Sequence, residues 1–127
     1  MLMRRILLVD DMPITREPLA RILAYEGYDV IAASNGLEAI ETLRDHPVEL
    51  ILLDVMMPKM NGIQLLEVLR EKEEWKNLAV IALTGSMDRA QISRLRELGV
   101  IEILTKARFK IDELINRVKA HLPIAAG

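Results

Sequence analysis

Arg4-Arg5-Ile6-Leu7-Leu8-Val9-Asp10-Asp11 is an apolar run closed by carboxylates, and Leu50-Ile51-Leu52-Leu53-Asp54 repeats the pattern further along the chain. Apolar residues at consecutive positions, instead of alternating ones, mark strands covered on both faces, as in a parallel sheet with helices on either side. Two such strands ending in acid bring three carboxylates to one edge of the sheet. In open α/β sheets that edge is where ligands bind. Like charges gathered there repel and call for a hard cation, and Mg2+ takes oxygen ligands of this kind while keeping some of its waters. One Asp after a strand is usually a helix cap or a loop solubiliser; three in this pattern point to a divalent-metal site.

The rest of the chain extends the same plan. Further apolar runs at Asp29–Ala33, Ala79–Leu83 and Ile101–Thr105 join Arg4–Val9 and Leu50–Leu53 to make five strand candidates. Amphipathic patterns lie between them. Leu19, Ile22 and Leu23 share one helical face, as do Leu37, Ile40 and Leu43; Leu65, Leu66 and Leu69; and Ile92, Leu95 and Leu98. The last pattern, Ile111, Leu114, Ile115, Val118 and Leu122, is the clearest. Pro13 suits a first helical turn, Asn35 and Asn61 suit caps, and Gly27 and Gly99 stand where helices stop. Pro18 falls inside the first helical pattern, expected within its opening turns, where a proline can otherwise kink a helix or delay its start. Repeated βα units predict an α/β fold with right-handed crossovers and helices on both faces, strand order left open. The expected domain covers residues 4–122, with residues 123–127 a tail or the start of a linker.

Composition narrows the function. A chain of 127 residues suits one domain with a real core. Its 51% hydrophobic and 28% charged residues fit a folded globular protein rather than a disordered one. A formal charge of −2 gives no electrostatic reason for this domain to bind nucleic acid directly. With no cysteine, disulfides, thiolate metal sites and cysteine nucleophiles are excluded. Ile6–Val9 after Arg4-Arg5 is too short for a signal peptide, and no apolar run approaches the ~20 residues of a membrane span. The expected location is cytoplasmic, with no membrane partner.

Two more strand ends carry chemistry. Thr84, followed by Gly85 and Ser86, closes the fourth run, and Lys106 closes the fifth. On a parallel sheet these reach the same edge as Asp10, Asp11 and Asp54. Asp54 is the natural nucleophile, since a carboxylate can attack phosphorus to give an aspartyl phosphate. A metal held by acids neutralises charge on the transferring phosphoryl group, and Lys106 adds a fixed positive charge. Thr84 offers a hydroxyl to a phosphoryl oxygen. Alone, such a Thr is more often a cap and such a Lys solvent-exposed; the ordered set carries the reading.

With these residues the chain resembles the receiver domain of two-component response regulators, over about Arg4 to Leu122. The motifs are Leu8-Val9-Asp10-Asp11, Leu53-Asp54-Val55-Met56-Met57-Pro58, Asn61-Gly62, Leu83-Thr84-Gly85 and Leu104-Thr105-Lys106. The resemblance implies a flavodoxin-like sheet in the order 2-1-3-4-5 and phosphorylation of Asp54 by a histidine kinase or phosphotransfer protein. It implies Mg2+ held by Asp11, Asp54 and the Met56 backbone carbonyl, with Asp10 acting through water. Lys106 then contacts the phosphoryl group and Thr84 moves toward it. Such a domain catalyses its own phosphorylation and dephosphorylation but is not a turnover enzyme on an external substrate. The surface of Arg89–Leu98, Ile101–Thr105 and Ile111–Leu122 becomes the expected face for an output partner or a homodimer.

Two positions depart from the family pattern. Ile103 stands where the family usually has a Tyr or Phe rotor, and a β-branched aliphatic cannot swing a ring, so coupling through backbone shifts is expected. Ala107 follows Lys106 where the family usually has a cis proline. A non-proline cis bond costs about 2.5–4 kcal/mol, so a trans Lys106-Ala107 bond is expected. Other folds fit worse. A flavodoxin needs a Ser/Thr/Gly-rich phosphate loop where Asp10-Asp11-Met12-Pro13 stands, and a haloacid-dehalogenase-type phosphatase needs an acid at Met56. The remaining alternative is a degenerate receiver that docks partners without phosphorylation. The presence of Asp10, Asp11, Asp54, Thr84 and Lys106 together favours a phosphorylatable one.

Overall fold

Five β–α units follow one another: β1 (Arg5–Val9), α1 (Pro13–Tyr25), β2 (Asp29–Ala33), α2 (Gly36–Asp45), β3 (Leu50–Asp54), α3 (Gly62–Glu71), β4 (Ala79–Thr84), α4 (Arg89–Glu97), β5 (Glu102–Thr105) and α5 (Ile111–His121). The structure is a computed structural model and describes residues 4–55, 61–85, 88–105 and 110–124. The strands pair in parallel in the order β2-β1-β3-β4-β5, as expected for a flavodoxin-like sheet. β1 and β3 are interior strands buried on both faces, which explains their unbroken apolar runs.

Alternation along the strands sorts the core into two layers. Leu7, Val9, Ile51, Leu53, Val80 and Ala82 face α2, α3 and α4, where they meet Leu43, Leu65, Leu66, Leu69, Leu95 and Leu98. Ile6, Leu8, Leu50, Leu52, Ile81 and Leu83 turn the other way, onto Leu19 and Leu23 of α1 and Leu114, Ile115 and Val118 of α5. The helix starts follow the punctuation. Asn35 caps α2 through the Glu38 N–H, Asn61 and Gln64 form a reciprocal capping box on α3, and Asp88 and Gln91 form another on α4. Gly27 and Gly99 adopt φ of 109° and 77° just past α1 and α4, left-handed values that favour glycine.

Pro18 stands, as expected, in the opening turns of α1, which starts at Pro13; its missing N–H falls opposite the carbonyl of the exposed Ile14, where water can serve. Two other expectations need adjusting. Leu37 is exposed, because the buried stripe of α2 runs through Gly36, Ala39 and Leu43, with Ile40 half-buried. Ile111 is exposed as well: it is the first residue of α5 and borders a groove shared with Ile14 and Pro18.

The amino edge of the sheet is tied by cations. Arg4 pairs with Glu49 and Arg5 with Asp29. The Arg70 guanidinium donates to the carbonyls of Leu98, Trp75, Lys76, Leu78 and Gly99, joining the end of α4 to the α3–β4 connection. Burial pulls its pKa below the usual arginine value. The chain beyond α5 is fastened too. Arg4 Nε donates to the Pro123 carbonyl at 2.9 Å, and the Tyr28 hydroxyl donates to the Leu122 carbonyl at 2.7 Å. Burial, aided by Glu26, raises the Tyr28 pKa.

Candidate functional site

At the carboxyl edge, β1 and β3 lie side by side, with Val9 opposite Leu53, so the acids that follow them are neighbours. Asp10, Asp11 and Asp54 each offer a carboxylate oxygen, and these three atoms lie within 4.8 Å of one another. Asp10 and Asp54 are 1% and 2% exposed, while Asp11 is half-buried and reaches toward solvent. All three donors are hard oxygens, and three is few enough to leave positions for water and a phosphoryl oxygen. The set therefore fits a divalent cation of the Mg2+ type.

Asp10 is held from several sides. Its N–H donates to the Ala33 carbonyl at 3.1 Å, carrying the ladder with β2 one residue past the strand. The Met12 N–H donates to Asp10 Oδ1 at 3.0 Å, and the Thr15 hydroxyl donates to Oδ2 at 2.5 Å. Arg16 Nη1 donates to the Asp10 carbonyl at 2.8 Å. The first turn of α1 is thus latched onto the end of β1. Sequence reading singled out neither Thr15 nor Arg16. Their only trace was polar character in a first helical turn, which any solvated helix start shares.

Asp54 ends the central strand, opposite Leu83 of β4, and the next N–H, of Val55, donates to the Leu83 carbonyl at 3.0 Å. The start of α3 presses against this point. The Gly62 N–H donates to the Val55 carbonyl at 3.0 Å, and a Cβ on Gly62 would lie 2.7 Å from Val55 Cα and 3.3 Å from the Asp54 carbonyl. The Asn61-Gly62 pair therefore has two separable roles, a cap and a close backbone approach behind Asp54.

Thr84 is 3% exposed at the end of β4, opposite Thr105 of β5. It continues the Val80–Ala82 row on the α4 side, whereas Asp54 continues the Leu50–Leu52 row on the α1 side. Thr84 thus borders the acids from the flank toward α4. Ile103 is half-buried and packs with the layer that includes Leu95 and Leu98 of α4. The Met56 carbonyl, Lys106 and the Lys106-Ala107 peptide lie outside the described residues. Among the described residues, no helix is long and apolar enough to cross a membrane.

Comparison with known proteins agrees with this geometry. The family model "Response regulator receiver domain" matches residues 6–119. Sporulation initiation phosphotransferase F of Bacillus subtilis is 35% identical over 127 residues, covering 100% of both chains. The transcriptional regulatory protein CpxR homolog of Haemophilus influenzae is 43% identical over 125 residues, 98% of this chain but 53% of that protein. This chain thus spans about half the length of that relative. A response regulator receiver protein from Pseudomonas putida superposes with a TM-score of 0.89 at 26% identity, over 94% of this chain and 98% of that one. The chain belongs to the response regulator receiver family: it is a receiver domain of two-component signal transduction.

Proposed function

We propose that Asp54 is the phosphoacceptor of this domain, taking a phosphoryl group from a phosphohistidine on a histidine kinase or a phosphotransfer protein. The observation that carries this reading is the gathering of Asp10, Asp11 and Asp54 within 4.8 Å at the end of the central strand. An Asp54 oxygen attacks phosphorus, a P–O bond forms as the P–N bond breaks, and the electron pair leaves with the imidazole. Asp11, Asp54 and the Met56 carbonyl would hold Mg2+, with Asp10 reaching it through water. Bound there, the cation offsets the negative charge on the transferring group. Lys106 supplies a second positive charge, and the Thr84 hydroxyl donates to a phosphoryl oxygen once the aspartyl phosphate has formed.

The same atoms serve hydrolysis of the acyl phosphate, so the domain resets itself without being a turnover enzyme on an external substrate. With Ile103 packed against the core layer that includes Leu95 and Leu98, displacement of Thr84 passes to α4 through backbone and core contacts, not through a ring flip. The output surface is the face of residues 89–122, met by an effector domain, a separate partner or a second copy. Residues 4–122 form the working domain, acting in the cytoplasm.

Acetyl phosphate with Mg2+ tests the reading by mass. The wild-type chain should gain one acid-labile phosphoryl group and Asp54→Asn none, with the fold of the variant checked by circular dichroism. Equal labelling of the variant removes Asp54 from the role. No labelling of the wild type leaves a docking module instead.

A further inference from the structure

We propose that Thr15 is a positioning residue that holds the Asp10 carboxylate in its cation-facing orientation; this rests on the reading of the edge as a divalent-cation site. The Thr15 hydroxyl has one proton and two acceptors within reach, Asp10 Oδ2 at 2.5 Å and the Met12 carbonyl at 3.1 Å. The shorter contact is to the ionised group, at the length of a charge-assisted O–H···O⁻ bond, so the proton goes to Asp10. Asp10 Oδ1 is held separately by the Met12 N–H. With Oδ1 and Oδ2 each held by its own donor, turning the carboxylate breaks both of these bonds.

Thr15 is exposed, so packing does not account for its identity; Asn35, Asn61 and Asp88 cap α2, α3 and α4, while α1 and α5 have no side-chain cap. Those three side chains cap a backbone N–H three residues ahead. The first-turn hydroxyl of α1 reaches back five residues to a strand-end acid instead. Groups that orient a metal-binding carboxylate typically change metal affinity about 10–100-fold when removed. Because Asp10 acts through water in this reading, the lower end of that range is expected.

The test is calorimetric titration of the full chain with Mg2+, and with Mn2+ as a second probe, without any phosphoryl donor. Thr15→Val keeps the shape and loses the hydroxyl, and should bind about tenfold more weakly than wild type. Thr15→Ser restores the hydroxyl and should return affinity to within about twofold of wild type. Thermal midpoints in EDTA verify that both variants are folded. A Thr15→Val protein that binds like wild type overturns the proposal, and so does a Thr15→Ser protein as weak as Thr15→Val. A wild-type chain that binds neither metal overturns the site reading itself, a different result from the variant failures.

Discussion

At the amino edge of the sheet acids meet arginines: Glu49 lies 3.2 Å from Arg4, and Asp29 lies 2.8 Å from Arg5. At the carboxyl edge three acids meet one another within 4.8 Å. The same five strands end in both, so the fold does not dictate the contrast. The amino edge uses cations to close the structure on itself, with Arg70 serving carbonyls from two connections. The carboxyl edge gathers three carboxylates into one site, a set of hard oxygens that suits a divalent cation. Electrostatics at one end serve stability, and at the other they serve chemistry.

Arg70→Met breaks the comparison at its strongest point. It removes the shared donor while keeping much of the aliphatic stem, and leaves part-buried carbonyls at Leu98 and Leu78 short of a partner. Chemical denaturation should show a loss of about 2–3 kcal/mol, since part-buried polar groups then lack partners. A loss under about 0.5 kcal/mol would mean that water replaces the guanidinium and that the amino edge is not closed by it.

The carboxyl edge should respond to cation instead. Mg2+ at about ten times its dissociation constant should add about 1.4 kcal/mol by mass action, read as a rise in thermal midpoint. Asp11→Asn should remove most of that rise. A midpoint indifferent to Mg2+ and EDTA in the wild type would erase the distinction between the edges.

The smallest effect belongs to Arg5 and Asp29, whose carboxylate side chain is 46% exposed. Asp29→Asn should cost no more than about 0.5 kcal/mol, and the difference should vanish in high salt. A cost above about 1.5 kcal/mol would place that pair in the same class as Arg70.

Strands β1 and β3 were legible because burial on both faces leaves unbroken apolar runs, and their closing acids marked the site at once. Helix starts at Asn35 and Asn61 were legible because a cap is a local bond. Leu37 and Ile111 were assigned to buried faces on spacing alone, which fixes relative angle but not which stripe the sheet covers. Arg70 could not be found, since its acceptors lie in two connections brought together only by the finished fold. Thr15 was hidden for a related reason: its bond crosses from strand end to helix start, and no periodic pattern spans that corner.

The bond from Arg4 to the Pro123 carbonyl spans 119 positions of sequence at 2.9 Å. The Arg4 side chain bridges the two residues, so a short peptide of similar span would join the backbone into a ring. Joining positions 4 and 123 through such a bridge would remove much of the freedom of the unfolded chain while asking little of the folded one. For a loop of this size that restriction is worth about 4–5 kcal/mol. The same closeness means that the chain could begin at another of the five units without a change in their cyclic order. A circularly permuted chain, opened at an exposed turn, should assemble the same sheet and present the same three acids.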